Sequence, residues 1–85
     1  MFATKFIIMT MITIYTTPTC VYCKIAKEYF QKENLDYREI DVVTDDAARE
    51  EMVEKSGQMG VPVIDVNGTI LVGFNKKEVE EALGK

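Results

Sequence analysis

Eighty-five residues, 47% of them hydrophobic and 28% charged, leave room for one small core, and no Pro/Gly/Ser-rich linker or internal repeat divides the chain. The formal net charge is −4 and the Lys and Arg residues are scattered, which argues against the basic patch that a nucleic-acid partner requires. No membrane-spanning helix is expected, because that needs about 20 consecutive apolar residues.

Residues 1–10 read as an N-terminal extension and residues 11–85 as the domain. Phe6-Ile7-Ile8-Met9 is apolar, but Thr10 and Thr13 break the run and no small-x-small site follows, so it does not match a secretory signal. Met9 and Met11 each offer an alternative start. The extension is expected to be a passive tail; otherwise it lengthens the first strand or packs on another chain.

Alternation of Ile12 and Ile14 with β-branched threonines predicts a strand over 11–16. From Val21 to Lys32 the apolar residues Tyr22, Ile25, Ala26, Tyr29 and Phe30 recur at three and four, which predicts a helix with those five on its inner face. Residues 37–42 return to strand character, with Ile40 and Val42 on one side. Thr44 is the expected N-cap of a second helix, with Asp45 and Asp46 in its first turn, Ala48 and Met52 inward, and a C-cap near Ser56-Gly57. Strands over 61–66 and 69–72 flank Asn67-Gly68, a strong hairpin signal. Asn75 and Glu78 open a final short helix with Val79, Ala82 and Leu83 on its apolar face. The order β-α-β-α-β-β-α predicts a three-layer α/β sandwich, its first βαβ unit a right-handed crossover.

The only cysteines lie in Thr17-Pro18-Thr19-Cys20-Val21-Tyr22-Cys23-Lys24, directly after the first strand and at the start of the first helix. Orphan N–H groups and the helix dipole favour a thiolate at Cys20, which lowers its pKa. Cys23 follows on the same helical face at about 5–6 Å, within disulfide range. A structural staple around two residues would constrain little. A zinc site wants four ligands, and the chain has no histidine and no third cysteine. A redox pair needs only what is present; a metal or cluster shared between two chains is the alternative, with inert cysteines behind it. Two close cysteines also suit a reducing, cytoplasmic setting better than secretion. Pro62 heads an apolar strand, either as an ordinary trans proline or as a cis Val61-Pro62 turn beside the cysteines.

The segments TIYTTPTCVYCK, YREIDV, GVPVI and VGFNKKEVEEAL resemble those of glutaredoxins, and the resemblance spans 11–83. It implies the thioredoxin fold, a four-stranded mixed sheet flanked by helices, with a cis-proline turn facing the thiols. It further implies a thiol–disulfide oxidoreductase in which Cys20 is the nucleophile and Cys23 the resolving thiol. Tyr22 would shape the site's surface, and Val61 and Pro62 would clamp substrate through the backbone. Implied partners are disulfide-bearing proteins or small disulfides, with a monomeric chain and no tightly bound cofactor; some relatives instead hold an iron–sulfur cluster between two chains. Three departures stand out: Val21 replaces the frequent proline, Thr16 and Thr17 occupy the region shortly before Cys20 where a lysine is often found, and Val72-Gly73-Phe74-Asn75-Lys76 replaces Gly-Gly and an acidic pair. Gly73, Phe74 and Asn75 are the expected remainder of the substrate surface. Gly73-Phe74 is similar to redoxins that take electrons from thioredoxin reductase, so such a flavoprotein is expected to rival glutathione as reductant. Phe74 is expected to lie where one end of glutathione would, and Lys76 to oppose its ammonium group.

Overall fold

The computed structural model describes residues 10–84, so the expectation for the extension falls almost wholly outside the described residues. Seven elements follow one another: β1 Ile12–Thr16, α1 Val21–Lys32, β2 Arg38–Asp41, α2 Asp46–Ser56, β3 Val63–Val66, β4 Thr69–Val72 and α3 Lys76–Ala82. They build a four-stranded sheet in the order β2-β1-β3-β4. β1 and β2 run parallel, whereas β1–β3 and β3–β4 are antiparallel, giving the expected mixed sheet.

The period of two along the strands sorts side chains between two cores. Ile12, Ile14, Ile64 and Val66 meet Ala26 and Phe30 of α1 and Val79 of α3 on one face. Tyr15 and Val63 meet Val42 and the α2 residues Ala48 and Met52 on the other. The hairpin closes through Asn67 and Gly68, both at positive φ (52° and 94°), as a two-residue turn matched to strand twist demands. Gly57, at φ 74°, ends α2 in the left-handed conformation that satisfies the last carbonyls.

Three expectations are corrected. The N-cap of α2 is Asp45, whose carboxylate accepts from the Ala48 N–H at 2.9 Å; Thr44 lies one residue outside, its hydroxyl turned to the Asp41 carbonyl. β3 begins at Val63 rather than Val61, since Val61-Pro62 is a cis peptide and Pro62 has no N–H to give a ladder. The inner face of α1 is Cys23, Ala26 and Phe30, with Tyr29 half-buried; Tyr22 and Ile25 are exposed.

Candidate active site

The register brings the cysteines and the proline to the same end of the sheet. Tyr15 pairs with Val63, so the last residue of β1, Thr16, runs out beside Pro62. The Gly73 N–H then donates to the Pro62 carbonyl at 2.8 Å, drawing the end of β4 and the start of α3 to that same edge. Thr16 is buried and held on its other flank: its backbone carbonyl accepts from Val42 N–H at 3.0 Å, and its hydroxyl donates to Glu39 at 2.9 Å. Lys27 of α1 meets the same Glu39 carboxylate at 2.8 Å and holds its pKa below the ordinary range. This three-residue tie joins β1, β2 and α1 just behind the loop that carries the cysteines.

Cys20 is itself the N-cap of α1, with extended backbone, and its sulfur accepts from the Cys23 N–H at 3.1 Å. A sulfur in that position stands in for the oxygen of an ordinary cap and meets the positive end of the helix. Cys20 and Cys23 are joined as a disulfide, with Cα atoms 5.2 Å apart. The two cysteines face different surroundings: Cys20 is half-buried, whereas Cys23 is 1% exposed. Val21 and Tyr22, the residues between them, are more than 60% exposed, so the rim of the pair is apolar.

Pro62 is buried and Val61 half-buried against the α2-side core. Among the described residues, the Val61 backbone N–H and carbonyl take part in no hydrogen bond. Gly73, at φ 82°, turns the chain out of β4. The Phe74 ring is half-buried and packs on Tyr29 with centroids 5.6 Å apart, joining α3 to α1. Asn75 caps α3, its side chain accepting from Glu78 N–H at 3.1 Å, and Lys76 is exposed. Pro62 and Gly73 thus lie at the sheet end from which the cysteine loop leaves β1, whereas the Phe74 ring packs farther along α1 on Tyr29 and Asn75 serves as a cap. Among the described residues no group of three or more His, Cys, Asp or Glu is arranged to hold a metal ion, and no helix is long and apolar enough to cross a membrane.

The loop before Val61 carries residues that spacing did not reveal. The Gln58 side-chain amide accepts from Gly60 N–H at 2.6 Å and donates to the Gly60 carbonyl at 3.1 Å, and it also donates to the Ser56 hydroxyl at 3.1 Å. Side chain–backbone bonds of this kind have no periodicity; only Ser, Gly and Gln between a helix and a proline hint at them.

A disulfide at a helix cap, beside a cis proline on a β-α-β-α-β-β-α sheet, defines a redoxin of the thioredoxin fold. The glutaredoxin family model matches residues 12–71, and the chain belongs to that family. It is 49% identical to an uncharacterized glutaredoxin-like 8.6 kDa protein from a rubredoxin operon of Clostridium pasteurianum, over 88% of this chain and 100% of that one. It is 32% identical to glutaredoxin 3 of Escherichia coli K12, over 89% and 92% of the two chains. Among solved structures, the glutaredoxin-like NrdH-redoxin of Escherichia coli, described as having a thioredoxin-like activity profile, superposes with a TM-score of 0.74 at 27% identity, covering 84% of this chain and 92% of that one.

Proposed function

We propose that this chain is a dithiol thiol–disulfide oxidoreductase that passes electron pairs to disulfides in proteins or small molecules. In its reduced form the Cys20 thiolate attacks one sulfur of the substrate disulfide. A mixed disulfide forms, and the other substrate sulfur leaves as a thiolate and takes up a proton. Cys23 then loses its proton and attacks Cys20. The substrate's second thiol is released, and the Cys20–Cys23 disulfide remains. Two electrons have moved from the pair to the substrate, and a dithiol donor or two monothiols restore them. The observation that carries this reading is the unequal exposure of the two cysteines at a helix cap. The outer one meets large substrates, while the inner one attacks only after the mixed disulfide has formed.

The reading also extends to the donor. A thioredoxin-reductase-type flavoprotein is expected to reduce the pair at least as well as glutathione. Phe74, Asn75 and Lys76 stand where a glutathione site would carry the second glycine and an acidic pair. The similarity to a redoxin with a thioredoxin-like activity profile supports the same donor. A thiol pair that is recycled in this way suits a reducing compartment such as the cytoplasm.

Turnover of a disulfide substrate by Cys20→Ser and Cys23→Ser tests the assignment. Cys20→Ser is expected to lose essentially all activity. Cys23→Ser should lose dithiol reduction and accumulate a mixed disulfide on Cys20 that mass spectrometry detects. Full activity in Cys20→Ser would overturn the roles. Side-by-side turnover with the two donors tests the second part, and a clear preference for glutathione would overturn it.

A further inference from the structure

Four residues, Gly57 to Gly60, connect α2 to Val61. A short loop of this kind is held by side chains or not at all, because it has no ladder of its own. Here Ser56, the last residue of α2, donates its hydroxyl to the Met52 carbonyl at 2.7 Å and receives the Gln58 amide N–H at 3.1 Å. The same amide closes a ring with Gly60, its nitrogen also donating to the Gly60 carbonyl at 3.1 Å and its oxygen accepting from the Gly60 N–H at 2.6 Å. Gln58 thereby occupies both backbone groups of Gly60 as a neighbouring strand would, and pairing stops there. The next backbone, that of Val61, is the open one. Gly60 is required for the close fit: a Cβ at that position would meet Gln58 Oε1 at 2.8 Å.

An unpaired backbone next to a cis proline, at the sheet end from which the cysteine loop leaves, is a docking edge for a peptide backbone, and its value depends on how firmly it is aimed. We propose that Gln58 is a positioning residue for substrate: its clasp on Gly60, anchored through Ser56 to α2, fixes Val61 in the orientation that an extended polypeptide segment pairs with. The site therefore favours disulfides carried on polypeptide over small disulfides that have no backbone to pair. This rests on the oxidoreductase reading given above and names the substrate class for the same site.

The clasp can be opened from either side. Gln58→Leu removes the amide at near-constant size. Gly60→Ala pushes the amide away, and because Gly60 lies outside the left-handed region, alanine there disturbs the clasp without straining the backbone. Both variants and the double variant are assayed with a synthetic peptide carrying one intrachain disulfide and with bis(2-hydroxyethyl) disulfide. Each single variant is expected to raise KM for the peptide about fivefold with kcat little changed, the scale of one well-made hydrogen bond. KM for the small disulfide should stay within about twofold. The double variant should be no worse than either single one, since both break the same contact. In Gln58→Leu the Gly60 amide should exchange its hydrogen faster while the amides of β1 and β3 keep their protection. Parallel losses on both substrates, or additive effects in the double variant, overturn the clasp as a positioning device. A wild-type protein inert toward both disulfides overturns the oxidoreductase reading and this inference with it, whereas unchanged peptide KM in an active protein overturns this inference alone.

Discussion

The two faces of the sheet are closed by different means. Under α1 and α3 the contact is apolar and aromatic: Phe30 is fully buried among Ile12, Ile14, Ile64 and Val66, with Tyr29 and Tyr37 edging its ring. Under α2 the apolar cluster is smaller, and a polar network finishes it. The ring of Tyr15 is buried while its hydroxyl donates to Glu51 at 2.8 Å and accepts from Lys55 at 3.0 Å. Lys55 also meets Asp65 of β3 at 3.1 Å. The first face derives its stability from volume filled; the second adds directional bonds that respond to pH. The cysteine helix belongs to the first face and the Val61 loop to the second, so the site draws on both.

Removing volume from the first face should produce the largest loss. Phe30→Ala is expected to cost about 3–5 kcal/mol by denaturant titration, because transfer and cavity terms add where neighbours cannot collapse. A loss smaller than that of Tyr15→Phe would reverse the comparison.

The second face should fail with alkali. Burial raises the Tyr15 phenol above its ordinary range against the pull of Lys55, and the bond to Tyr15 raises Lys55 in turn. Groups whose folded pKa exceeds the unfolded value lend stability that is complete below the unfolded value, near pH 10, and is lost as pH rises through the folded one. Tyr15→Phe is expected to cost about 1 kcal/mol at neutral pH. It should also flatten most of the alkaline limb in thermal melts, leaving the part that Tyr29, raised by its own burial and by Glu80, contributes. An unchanged alkaline limb would assign the effect elsewhere.

The smallest effect belongs to the tie behind the cysteine loop. The Lys27 bond lowers the folded pKa of Glu39, so its contribution is complete above the ordinary glutamate range and fades as pH falls through the folded value. With both side chains partly in solvent, Lys27→Met should cost less than about 1 kcal/mol, and only above that acid range. A comparable loss below it would show packing rather than charge.

Much of this was legible before the fold was known, for reasons that differ by element. The α1 boundaries, the Asn67-Gly68 turn and the Asn75 cap each follow from local chemistry that tertiary contacts only reinforce. The cysteines were legible because their meaning depends on chain position alone. The inner face of α1 was misread because two apolar stripes run along it. Cys23, Ala26 and Phe30 face the sheet, whereas Tyr22, Ile25 and Tyr29 follow about a quarter turn away; Tyr29 packs on Phe74, while Tyr22 and Ile25 are exposed. The choice between Thr44 and Asp45 as cap was open by one residue, since both side chains can accept the bond. The Gln58 clasp left no pattern, because a side chain bonding two residues along its own loop needs no repeat.

The order of pairing around β1 has a consequence for how the molecule can be divided. Ile12 to Asp41 form one β-α-β half and Val63 to Ala82 one β-β-α half, and within the sheet these halves join along the β1–β3 ladder, with α2 as the connecting segment. Cys20 and Cys23 lie in the first half, Pro62 just at the edge of the second. A chain cut in the exposed Gly57 turn would leave each fragment with half of the site and an uncovered central strand edge, the kind of edge that seeks its own complement. Fragment complementation is therefore expected along that one seam, and the thiol turnover proposed above would read out whether it has closed.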